Sequence, residues 1–162
     1  MKEKVVKEAE NYFSALAKKH LEGMGLLLGE VCEHRGESFI MVEGFTTADT
    51  NSTAVSVRFS PNAFASIAQE LKQMKNQHVV GWCHSHPSYG CFLSSTDVST
   101  QRRFFNELHH VAAVFDPLKV ENFGTTQAMA KRFYRLNSNG YGKEYWAKYG
   151  TEYKEVSFAV IK

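Results

Sequence analysis

Few of the bulk properties that assign a function on their own are present in this sequence. Its 162 residues include three cysteines, Cys32, Cys83 and Cys91. Three is too few and the wrong parity for a disulfide framework, so a reducing, cytoplasmic setting is expected. The longest apolar runs are a handful of residues, which leaves no candidate for a membrane-spanning helix. Residues 1–10, Met-Lys-Glu-Lys-Val-Val-Lys-Glu-Ala-Glu, mix charges where a secretory signal needs an apolar segment. Neither charge sign dominates: 19 Lys and Arg face 17 Asp and Glu, for a net charge of +2, and no basic run is dense. Nucleic acid is therefore not an expected partner. There is no internal repeat and no low-complexity segment. Hydrophobic residues at 43% and charged residues at 22% suit a globular chain, and the length suits a single domain over residues 1–162.

Hydrophobic periodicity orders the chain. Val5, Ala9, Tyr12 or Phe13, and Leu16 recur at helical spacing over residues 3–19. The apolar run Met24 to Leu28 is too short for a helix and predicts a buried strand continuing to Cys32. Arg35-Gly36-Glu37 turns the chain into a partner strand, Ser38 to Phe45. Thr46 to Thr53 reads as a polar loop and Val55 to Phe59 as a half-buried strand. Ser60-Pro61 opens a helix with an apolar stripe to about residue 75. A central strand is expected over His78 to His84, then a loop from Pro87 to Phe92. Ser94-Ser-Thr-Asp97 has capping-box spacing and starts a helix to about Leu108. Val111 to Phe115 is a strand stopped by Asp116-Pro117, and Lys119 to Thr126 a loop. Ala128 to Leu136 is a further strand and Asn137 to Gly142 a turn. Val156 to Ile161 forms an edge strand or packed terminus. The expected class is α/β (α+β), a mixed sheet flanked by helices.

The chemistry is concentrated between Gly81 and Asp97. His84 and His86 are two residues apart on an extended segment, so their rings point to one side. Asp97 follows after a loop. Two imidazoles and a carboxylate are a ligand set for catalytic zinc, whose fourth position stays open for water. Such a site also needs a base to take and return the proton of the attacking water. No Glu lies between the ligands, so that base must come from elsewhere in the chain. Taken singly, each residue has an ordinary structural reading. Asp97 favours a helix N-terminus, Ser94 caps a helix, Glu22 ends one, and a lone His-x-His seldom binds metal. Their joint order lifts them above those readings.

That order, His84-Ser-His86-Pro87-Ser-Tyr-Gly90-Cys-Phe-Leu-Ser94-Ser-Thr-Asp97, resembles the JAMM motif of MPN-domain metalloproteases, zinc isopeptidases that remove ubiquitin or ubiquitin-like proteins. Glu22-Gly-Met-Gly-Leu-Leu-Leu-Gly29 is similar to the family's E-x-x-G-L-L-x-G segment, and Val79-Val80-Gly81-Trp82 to the strand leading into the motif. The resemblance covers roughly residues 1–136 and implies the MPN fold with a curved mixed sheet. It implies zinc on His84, His86 and Asp97, with Glu22 as general base and then acid. Ser94 would donate a hydrogen bond to the oxyanion. Glu30, Glu33 and Glu43 are rivals for the base. Tyr89, Cys91 and Phe92, with the stretch Thr46–Thr53, are candidate contacts for the extended tail of a ubiquitin-like substrate, bound by strand addition.

Cys83 stands where relatives often carry Tyr, and its side chain is expected on the strand face opposite His84. A cysteine-protease reading would need a partner histidine, and His109 and His110 offer no supporting context. The family's long C-terminal helices are lacking, which suggests a stand-alone enzyme or a small complex, with an activating protein partner left open. Two other functions fit the same residues. One is a peptidase that processes a sulfur-carrier or other ubiquitin-fold precursor. The other is a non-catalytic MPN scaffold, which the full ligand set disfavours. Imidazole and carboxylate would also accept metals other than zinc.

Overall fold

A computed structural model of the protein describes residues 1–47, 50–52, 57–59, 78–137 and 153–162. The expected helix at 60–75, the turn after Asn137 and the aromatic stretch from Tyr145 fall largely or wholly outside these residues. The described elements are α1 (Glu3–Ala17), β1 (Met24–His34), β2 (Glu37–Thr46), β3 (Thr50–Ser52), β4 (Val57–Phe59), β5 (His78–Ser85), α2 (Ser95–Phe104), β6 (Val111–Phe123), β7 (Thr126–Leu136) and β8 (Tyr153–Val156). Six strands form one mixed sheet in the order β2-β1-β5-β6-β7-β8, and β3 pairs with β4 in a separate ribbon. The β3 strand corrects the expectation of a continuous loop over Thr46–Thr53: its backbone is laddered against β4.

Every neighbouring pair in the large sheet is antiparallel except β5 and β6, which run parallel. A parallel pair needs a crossover, and α2 lies within it. The β5 strand therefore sits centrally between β1 and β6, with both of its ladders satisfied.

The two faces of the sheet bury separate cores. On one face α1 inserts Val5, Val6, Ala9 and Phe13 against Leu27, Val80, Cys83, Ala113 and Phe115. These helical residues recur every three or four positions, which makes one apolar stripe. On the other face Trp82, Leu26, Leu28, Val98, Phe105, Ala112 and Val114 pack together. Val80 and Cys83 share a face despite their odd spacing. The register between β1 and β5 shifts between Leu27 and Leu28, where Leu27 pairs with Gly81 and Leu28 with Val79. A bulge at Val80 accounts for that, because one extra residue reverses the alternation.

Helix α1 ends two residues earlier than expected. The His20 N–H bonds the Ala17 carbonyl and the Leu21 N–H bonds the Leu16 carbonyl, with His20 at φ 56°. This is the left-handed C-terminal turn usually made by glycine, and it delivers the chain directly into Glu22. Helix α2 ends at Phe104 rather than near Leu108. The buried Gln101 amide donates to the carbonyls of Phe105 and His110, which fastens the chain in a turn instead of another helical step.

Strand β6 corrects another expectation. It does not stop at Asp116-Pro117 but continues to Phe123, and Lys119 to Thr126 is not a loop. Asp116 pairs with Ala130 and Val120 with Met129, so Pro117, Leu118 and Lys119 are extra residues without partners in β7. A proline has no N–H to give a ladder and is tolerated at such an irregularity. The turn between β6 and β7 is only Gly124 and Thr125, with Gly124 at φ 62°. At the other end of the chain the edge strand is Tyr153–Val156, and the terminus after it packs along the N-terminus. Lys2 bridges Ile161, and the Met1 ammonium donates to the Ala159 carbonyl.

Candidate metal centre and active site

The His84 and His86 side chains leave the C-terminal end of β5 toward the α2 face. Their Nε2 atoms are 3.0 Å apart. Asp97, in the first turn of α2, brings Oδ2 to 3.3 Å from His84 Nε2 and 3.5 Å from His86 Nε2. One ligand atom from each of the three residues lies within 4.8 Å of the others. The sequence separates Asp97 from the histidines by a loop. The fold closes that distance by starting α2 directly over the end of β5.

Each of the three side chains is held by something else. The Trp82 ring stacks on His84 at 4.6 Å between centroids and 12° between planes. Trp82 is itself fixed by donating Nε1–H to Gln101 Oε1 at 2.6 Å. His86 Nδ1 lies 3.2 Å from the Gly90 carbonyl. A carbonyl only accepts, so this bond requires a proton on Nδ1, and in the neutral ring the Nε2 lone pair then faces the cluster. Asp97 Oδ2 accepts the Ser94 N–H at 2.7 Å, and Ser94 Oγ accepts the Asp97 N–H at 3.2 Å. The expected capping box is thus present. Ser94 Oγ is used as an acceptor there, so its own O–H is still available to donate.

The electrostatics fit a cation. Burial opposes charge on all three groups, and the balance differs for each. Burial holds the His84 imidazole below its ordinary pKa, with the Asp97 contact opposing it. At His86 burial is outweighed by the hydrogen bond and charge of Asp97, so its pKa rises. Burial would raise Asp97, but its hydrogen bonds from His84, His86 and Ser94 hold it well below the carboxylate range. Two imidazole nitrogens and a carboxylate oxygen converging at this distance are Lewis bases in need of a shared positive charge. His84 Nδ1 is buried with no hydrogen-bond partner. Three protein donors of this type, with room on one side, suit a catalytic zinc ion.

Glu22 opens onto the same space. A cleft of about 250 Å³ is lined by Glu22, Met24, Trp82, His86, Ser94 and Asp97, with Tyr89, Phe92, Thr96 and Thr100 at its walls. Glu22 is only 5% exposed. Burial pushes its carboxyl up to about 7, with His86 lowering it and Asp97 raising it further. The residue is aimed by its neighbour. The Gly23 N–H donates to Ser85 Oγ at 2.9 Å, and the Ser85 N–H returns a bond to the Gly23 carbonyl at 3.0 Å. A Cβ on Gly23 would sit 2.6 Å from Leu16 and 2.8 Å from Phe13, so the chain must carry glycine to approach this closely.

The other expected residues are distributed as follows. Glu30 and Glu33 are exposed on the far half of β1, and Glu43 pairs with Lys2. None of the three lines the cleft. Tyr89 and Phe92 line it, and the His86 ring packs on Phe92 at 5.0 Å. Cys91 does not line it. It packs against the α2-side core, its carbonyl accepts the Tyr134 O–H, and burial raises its thiol to about 11. Cys83 is buried on the α1 face, opposite His84, where its thiol donates to the Gly25 carbonyl.

Sequence reasoning passed over Ser85, Trp82 and Gln101, which orient the site. Ser85 lies inside the His-x-His motif, and its alternation away from the two rings was a usable signal. The Trp82–Gln101 bond joins residues 19 apart and had none.

The chain is similar to several known proteins. The family model described as JAB1/Mov34/MPN/PAD-1 ubiquitin protease matches residues 1–109. The chain is 42% identical over 103 residues to the 26S proteasome regulatory subunit RPN11 of Candida glabrata, covering 61% of this chain and 32% of that protein. It is 41% identical over 103 residues to the ubiquitin carboxyl-terminal hydrolase RPN11 of Saccharomyces cerevisiae, covering 61% and 32%. It is 37% identical over 123 residues to the COP9 signalosome complex subunit 5 of Drosophila melanogaster, covering 70% and 35%. The chain spans about a third of the length of these relatives. The solution structure of protein DSY2949 from Desulfitobacterium hafniense shares the fold, with a TM-score of 0.66 over 99% of this chain and 90% of that one, at 12% identity.

Proposed function

Because the chain belongs to the JAB1/Mov34/MPN/PAD-1 ubiquitin protease family, we propose that it is a zinc-dependent isopeptidase that cleaves after the C-terminal tail of ubiquitin or a ubiquitin-like protein. The observation that carries this reading is the convergence of His84, His86 and Asp97 within 4.8 Å, with a buried Glu22 sharing one cleft with His86 and Asp97. His84 Nε2, His86 Nε2 and Asp97 Oδ2 would hold the ion. Bound there, zinc supplies Lewis-acid polarisation of a carbonyl and a water acidified toward neutral pH.

The remaining work falls to the chain. Glu22, with a pKa near 7, is matched to accept a proton from the attacking water and return it to the leaving amine near neutral pH. The Ser85–Gly23 bonds fix the main chain next to Glu22 against the end of β5. Ser94 donates its O–H to the oxyanion that develops at the scissile carbonyl, while its Oγ keeps the Asp97 amide in place. Tyr89 and Phe92 wall the entrance on the side of the 87–92 loop, where an extended, glycine-rich tail can lie along the main chain.

The test is cleavage by the purified protein of a linear ubiquitin fusion and of a lysine-linked conjugate, with Glu22→Ala and a chelator as controls and metal content measured alongside. Cleavage of the conjugate that both controls abolish, with about one zinc per chain, supports the reading. Cleavage of the linear fusion alone would favour a precursor-processing peptidase. A protein that takes up no zinc on reconstitution is not a zinc metalloprotease.

A further inference from the structure

Asp116 is a buried carboxylate that the proposed chemistry does not use. It is 1% exposed, at the point where β6 leaves its ladder with β7. Its oxygens accept three main-chain amides. Oδ1 takes the Ser88 N–H at 2.9 Å and the Leu118 N–H at 3.1 Å, and Oδ2 takes the Gly90 N–H at 3.0 Å. The bond to Leu118, two residues on, shapes the irregular stretch around Pro117. The other two reach across to the loop that follows His86.

One local bond, from the Tyr89 N–H to the His86 carbonyl at 3.2 Å, closes the turn over Pro87, but it does not cover the left-handed residues' own amides. Ser88 lies at φ 70° and Gly90 at φ 84°, both left-handed. Glycine adopts this region freely, but serine does not, and such a residue persists only where its surroundings over-determine it. Alternating left-handed residues turn successive N–H groups toward one point, a concavity suited to an anion. The Asp116 carboxylate fills it. The loop meets the His86 imidazole through the Gly90 carbonyl, which faces Nδ1 at 3.2 Å. The β5–β6 pairing also continues there, with the His86 N–H on the Phe115 carbonyl at 2.8 Å.

We infer that Asp116 is a positioning residue for the metal centre: it sets the 87–90 loop, and through the Gly90 carbonyl it fixes the tautomer and aim of the His86 imidazole. The inference rests on His86 being a metal ligand, as proposed above. Partners that orient ligand imidazoles in this way typically change metal affinity 10- to 100-fold when removed. Asp116→Asn is close to isosteric, yet its amide cannot accept on both atoms, so one of the loop N–H groups must meet an NH₂ group.

The experiment compares wild type, Asp116→Asn and a core control, Phe158→Ala, which packs on the opposite face. The first readout is long-range ¹H–¹⁵N correlation of the imidazoles in the metal-free protein, at a pH high enough that His86 is neutral, with the His86 signal assigned from His86→Gln. The second is zinc affinity by competition with a chromophoric chelator. Wild type should show the Nδ1–H form of His86. Asp116→Asn should gain the Nε2–H form and bind zinc about 10- to 100-fold more weakly, whereas Phe158→Ala should lower only the melting temperature. A folded Asp116→Asn with wild-type tautomer and wild-type zinc affinity overturns the inference. Should that variant fail to fold, Asp116→Ser is used, whose single short hydroxyl cannot span both loop amides, with the same outcomes. Failure of wild type to bind zinc breaks the proposed function instead, and the tautomer comparison still decides the role of Asp116.

Discussion

The α1 face and the α2 face of the central sheet are built from the same strands but follow different rules. Under α1 the buried side chains are almost all apolar: Val5, Phe13, Leu27, Val80, Phe115 and Phe133. The buried ammonium nearest that face, Lys131, is neutralised by Glu10 at 2.9 Å. Under α2 the apolar residues surround polar ones. Gln101 is fully buried with three hydrogen bonds, and Trp82 is fixed by one of them. His84 is buried with one ring nitrogen unpartnered. Burying polar groups is costly unless each is paired. The α1 face therefore supplies stability, and the α2 face uses some of it to hold groups in a geometry that they would not choose alone. Both meet at β5, where Cys83 points one way and Trp82 and His84 the other.

Breaking each face separately should give opposite phenotypes. Glu22→Gln removes the proposed proton acceptor of the α2 face and nothing from the α1 core. Its kcat/KM should fall by about 10²- to 10⁴-fold, with zinc content unchanged. Steady-state cleavage with metal analysis checks both, and a variant with wild-type activity would return the base assignment to another group. Phe13→Ala should do the reverse. Phe13 is fully buried among Tyr12, Phe45 and Phe115, and its loss should cost about 3–5 kcal/mol in urea unfolding. Zinc affinity measured well below the transition should be retained.

Ser85→Ala tests where the faces join. It strands the Gly23 N–H without a partner in a buried position, at a cost of about 1–3 kcal/mol. Because Gly23 follows Glu22, kcat should fall further than that stability loss explains. Ser85→Thr, which keeps the oxygen, should restore part of the lost rate.

The smallest effect concerns pH. Burial raises Glu22 from 4.5 to about 7, so the metal-free folded protein binds more protons than the unfolded chain between those values. The contribution of this group to stability therefore falls as pH rises from about 4.5 to 7. In the metal-free state Glu22→Gln should melt above wild type at pH 8, and the gap should close toward pH 4.5. Solvent in the cleft screens the charge and keeps the difference modest. An equal gap at both pH values would mean that Glu22 is not desolvated.

Local pattern made much of this legible in advance. The spacing of Val5, Ala9 and Phe13 fixes the buried stripe of α1, and the apolar run from Met24 fixes the start of β1. Ser94 and Asp97 are three residues apart, so their capping box follows from helix geometry alone. Asp116-Pro117 misled for the same local reason. Proline usually ends a strand, but here the β6–β7 ladder resumes at Val120 after three unpaired residues. Only the length of β7 opposite reveals that continuation. The end of α2 was misjudged because Gln101 binds two carbonyls beyond the helix, and helical periodicity carries no record of that.

The sequence by itself determined which groups face one way on a strand and which cap a helix. These depend on bonds between residues within one or two turns of each other, and the chain fixes them by geometry. It therefore set the paired rings of His84 and His86 and the orientation of Asp97. Tertiary structure alone decided that Glu22 shares a cleft with His86 and Asp97, far from it in sequence, and that Asp116 reaches back to Ser88 and Gly90. Those distances close only when β1 pairs with β5 and β5 with β6, because the same strand ladders that bury the apolar cores also carry their terminal polar residues into register.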